Sequence, residues 1–399
     1  MKILQINAVN KIGSTGRNIE ELAVEVRKQG HEVFNVHSVG PVDAFSYIIG
    51  NKFEHKLHSL LSRILGKQAY FSQHSTKKLL RFLDSYSPDI VHLNNLHSNY
   101  INLPILLVYL AQKNIATVVT LHDCWFFTGK CMHYTAEECY KWQEECGHCP
   151  QLKEGNRSWF FDKTTKMLND KRELFNAIPR LAVVGVSDWI TNEARKSILK
   201  DAKIIKRIYN WIDLDLFKPV DTKILRKKLE LNGRFVILGV ASGWSNLKGL
   251  DLFIQLSSKI DGNMVIVLVG NIPRTINFPP NIISVGTTNN LDELVEYYSM
   301  ADVFVNFSKE ETFGKVAAEA LACGTPVITN QYTANPELVV DGCGYVINDC
   351  SLDDTRSAII TICNDGKAHY TEKCFSFSKS FEKEKIISEY LNLYKEIIG

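Results

Sequence analysis

The sequence predicts an α/β protein made of two doubly wound parallel sheets. Three observations lead there. The chain has 399 residues, which is too many for one ordinary hydrophobic core. Short apolar runs alternate with helical patterns along its whole length, as in parallel strands joined by crossover helices. The runs also fall into two series, separated by Pro219 and a charged stretch within "IYNWIDLDLFKPVDTK".

In chain order, "KILQIN", "HEVFNVHS", "DIVHLNN", "ATVVTLHD" and "LAVVGVS" read as buried strands of a first sheet. "RFVILGV", "MVIVLVG", "NIISVG", "DVFVNFS" and "TPVITN" read the same way in a second. Helical patterns cover 19–29, 248–260, 291–300 and 315–322. The expected division is a first domain over 1–215, a second over 216–379 and a terminal helix over 380–399. That helix carries an apolar stripe of Ile386, Ile387, Tyr390, Leu391 and Tyr394, and it can pack on either domain. Ligands of open α/β sheets bind beyond the carboxyl ends of the strands. Two facing domains would therefore enclose a cleft, with site residues following strands.

Composition narrows the function classes. The apolar share of 45% and charged share of 23% are those of a water-soluble globular chain. The formal net charge of +2 gives no support for nucleic-acid binding. The opening "MKILQINAVN" reads as a buried strand rather than a signal peptide. No apolar run approaches the roughly 18 residues of a membrane span. The expected compartment is the cytoplasm, where thiols stay reduced.

That compartment bears on "CMHYTAEECYKWQEECGHCPQL", which begins at Cys131 and forms most of an insert near 124–152. Cys131, Cys139, Cys146 and Cys149 can supply four thiolates to one structural zinc ion. Only the last pair has a familiar C-x2-C spacing. Reduced thiols without metal and disulfides are the alternatives. Four protein ligands leave no open position for catalytic water.

The most informative stretch is "NFSKEETFGKVAAEALACGTPVIT", from Asn306 to Thr329. A strand is followed by acidic residues and Gly314, then by a helix and a second strand. Glu311 falls in the loop, and Glu319 about two turns further on. Phe313, Gly314, Lys315 and Val316 open the helix, where backbone N–H groups and the dipole suit a phosphate. A carboxylate such as Glu319 can accept hydrogen bonds from two adjacent ribose hydroxyls.

Glu311 and Glu319 also match the E-x7-E motif of retaining glycosyltransferases with two facing Rossmann-like domains, the GT-B fold. "EALACGTPVIT" extends the match. So do "KIGSTGRNIEELA", "LHD", "IYNWIDLDLFKP" and "NLKGLDLFIQL". The chain resembles members of glycosyltransferase family 4 over nearly its whole length. It most resembles bacterial enzymes of capsule, exopolysaccharide or O-antigen synthesis, whose first domain often carries a cysteine-rich insert at this place.

The resemblance implies roles. Glu319 would hold the donor ribose. Glu311 would hold the transferred sugar and help stabilise the reacting centre. Lys248 would neutralise the diphosphate leaving group, where charge develops. Gly13 and Gly16, with Arg17, would form a phosphate or acceptor loop. His122 and Asp123 would lie beside the anomeric carbon. The implied partners are a nucleotide-diphosphate sugar and a saccharide or polyprenyl-linked acceptor, with no catalytic cofactor. One position departs from the pattern: the arginine usual before "KG" is absent, and Ser242 and Gly243 stand there. Arg17, Arg274 or Lys315 could substitute.

Residues 51–70 form a separate feature. Leu57, Leu60, Leu61, Ile64 and Leu65 share a helical face, accompanied by Lys52, Lys56, Arg63 and Lys67. Such a helix either packs on its own domain or lies on an anionic membrane at the inner face of the plasma membrane. Two rival functions use the same chain: a nucleotide-sugar epimerase, and a non-catalytic scaffold of a polysaccharide assembly complex.

Overall fold

A computed structural model describes residues 1–231, 233–273 and 276–399. The chain divides into two compact units, Met1–Tyr209 with Ile387–Gly399, and Asn210–Ile386.

The first unit runs β1 (Lys2–Ile6), α1 (Gly13–Lys28), β2 (Glu32–His37), β3 (Ser46–Ile48), α2 (Lys52–Leu65), α3 (Gln73–Tyr86), β4 (Ile90–Leu93), α4 (Leu103–Gln112), β5 (Ala116–Leu121), α5 (Thr164–Asn176), β6 (Leu181–Gly185), α6 (Asp188–Lys196) and β7 (Ile204–Arg207). Its strands lie in the order β3-β2-β1-β4-β5-β6-β7, and every pairing is parallel. The central strands are apolar on both faces because helices cover both. Val91, Leu93, Val118, Val119, Val183 and Val184 are fully buried.

The second unit runs α7 (Lys223–Lys228), β8 (Phe235–Gly243), α8 (Leu250–Ser257), β9 (Met264–Asn271), β10 (Ile282–Val285), α9 (Leu291–Met300), β11 (Val303–Asn306), α10 (Lys315–Ala322), β12 (Val327–Asn330), β13 (Gly344–Ile347), α11 (Leu352–Asp365), α12 (Ala368–Ser378) and the start of α13 (Lys383–Ile398). Its parallel order is β10-β9-β8-β11-β12-β13. In both sheets consecutive strands first run one way and then the other. The reversal falls between β1 and β4 in one, and between β8 and β11 in the other.

From Ile387 onward α13 belongs to the first unit. The Tyr394 hydroxyl lies 2.8 Å from His92 Nδ1, and Thr120 Oγ1 lies 2.7 Å from His92 Nε2. Tyr390 reaches the same threonine at 3.3 Å. Burial pushes the His92 pKa down to about 3, so the ring is neutral and exchanges hydrogen bonds with hydroxyls rather than pairing with a carboxylate.

The structure corrects several expectations. By contact the two compact units part at 209/210, close to the expected 215/216. Ile212 N–H donates to Phe381 O at 2.7 Å, and Lys383 reaches Asp213 at 3.6 Å, so this segment is tied to the second unit. For the same reason that unit runs to 386, past the expected 379. Helix α1 starts at Gly13, so Gly13, Gly16 and Arg17 lie in its first turns rather than in a loop. The helix expected over 248–260 is interrupted by Gly249, whose φ of 76° no continuous helix can hold. The short strands β3, β7 and β13 carry too little apolar pattern to be read in advance. Among the described residues, no helix is long and apolar enough to cross a membrane.

Candidate functional site

The reversal between β8 and β11 is where an open α/β sheet leaves room for a ligand. The chain places its expected donor residues there. Lys248 follows β8 and Glu311 follows β11. Lys248 Nζ donates to Glu311 Oε1 at 2.6 Å and to Ser308 Oγ at 3.2 Å. Both side chains keep some exposure, Lys248 38% and Glu311 18%. The "KG" pair has a steric origin. A Cβ on Gly249 would stand 2.2 Å from Phe307 Cβ, so only glycine lets the turn after β8 press against the end of β11. That contact brings Lys248 to Glu311.

The loop after β11 is held by side-chain amides. Ser308 N–H donates to Asn306 Oδ1 at 3.0 Å. Ser308 O accepts from Asn330 Nδ2 at 2.9 Å and Asn335 Nδ2 at 2.8 Å. Asn306 and Asn330 end adjacent strands, and Asn335 links to both, at 3.0 and 2.9 Å. Thr333 Oγ1 accepts from Glu311 N–H at 3.1 Å. These amides were not singled out in the sequence. Their only signal was an asparagine at the end of two consecutive strands, which is weak alone.

Glu319 is on α10, only 6% exposed. The Tyr298 hydroxyl donates to its Oε2 at 2.9 Å. Burial and then the Glu319 carboxylate hold the Tyr298 phenol well above its usual pKa, so it remains a donor. Tyr298 was also missed, because α9 brings it to Glu319 across a gap in sequence. Gly314 caps α10 with a φ of 86°, Lys315 begins it, and Phe313 is buried with its ring edge-on to Phe381 at 5.3 Å. Gly243 ends β8, and a Cβ there would meet nothing within 4 Å. Arg274 lies outside the described residues.

In the first unit, His122 and Asp123 follow β5 and Asn94 follows the neighbouring β4. His122 Nε2 lies 2.9 Å from Asn94 Oδ1. Asp123 is 8% exposed. Its Oδ1 accepts from Trp125 N–H at 2.8 Å, and His97 Nε2 lies 3.0 Å from its Oδ2. Burial opposes ionisation of Asp123, but His97 and the Trp125 N–H outweigh it and keep the carboxyl below its usual pKa. Asp123 is thus a clamped anion. His97 was not read from sequence. Gly16 packs closely: a Cβ would meet Val9 Cγ2 at 3.1 Å. Arg17 Nε donates back to Gly13 O at 3.3 Å.

The four expected cysteines line one small cavity of about 20 Å3. As their side chains stand, no group of three or more His, Cys, Asp or Glu among the described residues is arranged to hold a metal ion.

Comparison with known proteins agrees with this layout. Residues 15–216 match the family described as Glycosyltransferase Family 4, and 221–383 match Glycosyl transferases group 1. The chain is 27% identical to N-acetyl-alpha-D-glucosaminyl L-malate synthase of Bacillus anthracis, over 54% of this chain and 60% of that protein. The chain spans less than two thirds of the length of the first curated relatives it matches, 60% and 48%. Its fold is that of sucrose-phosphate synthase from Thermosynechococcus elongatus, with a TM-score of 0.73, 17% identity, and 99% and 98% of the two chains covered. It is also that of Anabaena HepE in complex with UDP and glucose, with a TM-score of 0.68, 17% identity, and 99% and 100% covered. These solved neighbours are GT-B glycosyltransferases.

Proposed function

The chain belongs to glycosyltransferase family 4, and from that premise we propose that it moves a sugar from a nucleotide diphosphate to a saccharide acceptor, retaining the anomeric configuration. The observation that carries this is the Lys248–Glu311 pair at the sheet reversal, beside the helix that holds buried Glu319. Glu319, oriented by Tyr298, takes the ribose hydroxyls. The diphosphate lies against Lys248 and the first turn of α10. The Lys248–Glu311 pair is only part-buried, with Lys248 38% exposed. An entering diphosphate, with more charge, can therefore draw the ammonium to itself. Glu311 is then left to the hydroxyls of the transferred sugar.

In the transfer step the bond from the anomeric carbon to the diphosphate oxygen breaks. A bond to the acceptor oxygen forms on the same face. The acceptor hydroxyl proton passes to the departing phosphate oxygen. Lys248 stabilises the charge that develops there. His122, held by Asn94, is proposed to serve the acceptor. The lysine and the helix end supply the positive charge, so leaving Mg2+ and Mn2+ out of the assay should leave the rate unchanged.

The acceptor is proposed to be lipid-linked, in surface polysaccharide synthesis. The supporting observation is α2, which turns its polar His58 and Ser62 inward and its apolar side outward. Phe53 is 77% exposed, and Leu57 and Leu60 are exposed beside it. Trp159 N–H donates to Arg63 O at 2.6 Å, and exposed Trp159, Phe160 and Phe161 follow there. Lys52, Lys56 and Arg63 frame this surface with positive charge. Exposed aromatics within a basic frame suit an anionic membrane.

The first test is a thermal-shift screen with nucleotide diphosphates and their sugars, followed by transfer with the donor that binds. Nuclear magnetic resonance of the product should give the donor's anomeric configuration. An inverted product would reject the retaining mechanism. Conversion of the donor without acceptor into an isomer would indicate an epimerase instead. Co-sedimentation with phosphatidylglycerol vesicles should fall for Lys56→Glu/Arg63→Glu, and unchanged binding would remove the membrane surface.

A further inference from the structure

The connection from β5 to α5 spans 122–163 and contains only two short turns of 3-10 helix, Trp125–Phe127 and Lys141–Gln143. It nevertheless buries Trp125, Phe126, Phe127, Tyr134 and Trp142. A stretch this long, with so little backbone pairing, needs another source of order.

Its four cysteines come together. Cys131, Cys139, Cys146 and Cys149 share the wall of one cavity of about 20 Å3. A cavity of that size holds about one water-sized occupant. Cys131 and Cys149 are near enough for their thiols to interact. Backbone N–H groups are already aimed at sulfur: that of Gly129 at Cys146, and that of Gln151 at Cys149. Such donors stabilise thiolate ligands from outside a metal centre. Gly129 has to be glycine, since a Cβ would lie 2.8 Å from Thr164 O and 3.1 Å from Cys146 Sγ.

The surrounding charge points the same way. Lys130 Nζ donates to Gln151 O, Leu152 O and Glu154 O at 2.8, 3.0 and 3.2 Å. Lys171 Nζ donates to Trp125 O at 2.5 Å and Thr128 O at 2.9 Å, 3.7 Å from the centre of the Trp125 ring. Both side chains are buried. Among the described residues, no carboxylate stands within ion-pair distance of either. Buried cations ordinarily need an anion. One Zn2+ with four thiolates carries two net negative charges, which two ammonium groups offset.

We propose that Cys131, Cys139, Cys146 and Cys149 bind one zinc ion that pins this connection beneath the strand end carrying His122 and Asp123. Binding draws the thiols inward across the cavity they line, because in their present positions they form no ligand set. The tie to the strand end is direct: Cys124 N–H donates to Met132 O at 2.8 Å, and Lys171 grips Trp125.

Metal analysis of the full chain, purified without added metal or chelating resin, should find about one zinc per chain. Cys146→Ser/Cys149→Ser should lose it, and Cys363→Ser, on α11 and outside the cavity, should keep it. If the double variant does not fold, a mercurial titration of the unaltered protein decides. Zinc should be released to an indicator dye as thiols react. Metal-free protein with reactive thiols would overturn the proposal. So would zinc retained in the double variant, or a mass showing a disulfide among the four.

Discussion

The two sheets share a topology and treat their strand ends oppositely. After β8 and β11, the charged groups are partly exposed and paired with each other, and the proposed function has a ligand open that pair. After β4 and β5, the polar groups are closed on one another: His122 on Asn94, Asp123 on His97 and the Trp125 N–H. The difference teaches that one topology can supply either a yielding site or a rigid wall. What differs is the partner at the strand ends: a partly exposed ion pair in one sheet, and largely buried side chains packed against one another in the other.

The largest expected effect comes from removing the yielding charge. Glu311→Gln should lower turnover about 10²–10³-fold with little change in thermal stability. Single-turnover assay beside a melting curve checks it. An equal loss of stability would make Glu311 structural and erase the contrast. Next is Gly249→Ala. The positive φ and the collision with Phe307 should cost roughly 2–4 kcal/mol of stability. Denaturant unfolding measures it, and a neutral result would mean the reversal is not tightly packed.

Asp123→Asn tests the rigid wall and should cost about 1–3 kcal/mol. The Asp123 pKa is lowered in the fold, so its contribution is complete above the ordinary value of 3.8 and is lost as pH falls through the lowered one. The melting difference between the unaltered protein and the Asp123→Asn variant should therefore hold at neutral pH and shrink below about pH 4. The smallest effect is expected from Tyr298→Phe, which removes one hydrogen bond from Glu319. Donor affinity should fall about tenfold, near 1.4 kcal/mol, with turnover preserved. A fall in turnover instead would place Glu319 in the chemistry itself.

The legible part of the site was local. Glu311 and Glu319 keep a fixed spacing because one loop and one helix carry both. Lys248 is read beside Gly249 because the glycine's backbone and the lysine's position are set by the same turn. The illegible part was long-range. Asn306, Asn330 and Asn335 converge from two strand ends and a later turn, and Tyr298 arrives on a different helix from Glu319. Nothing in their own neighbourhoods marks them. The apolar side of α2 shows the same limit. Its periodicity was plain, but periodicity does not say whether a face turns inward, and here Phe53, Leu57 and Leu60 turn out.

By itself the sequence determined the alternation of strand and helix, the two-sheet count, and the motif residues at the reversal of the second sheet. Those depend on apolar period and on turns, which neighbouring residues control. The tertiary structure decided the boundary at 209/210, the return of α13 to His92, the clamping of Asp123 by His97, and the gathering of four cysteines around one cavity. Each of these joins residues far apart in the chain. Their meeting is fixed by which surfaces pack together, and a linear pattern does not carry that information.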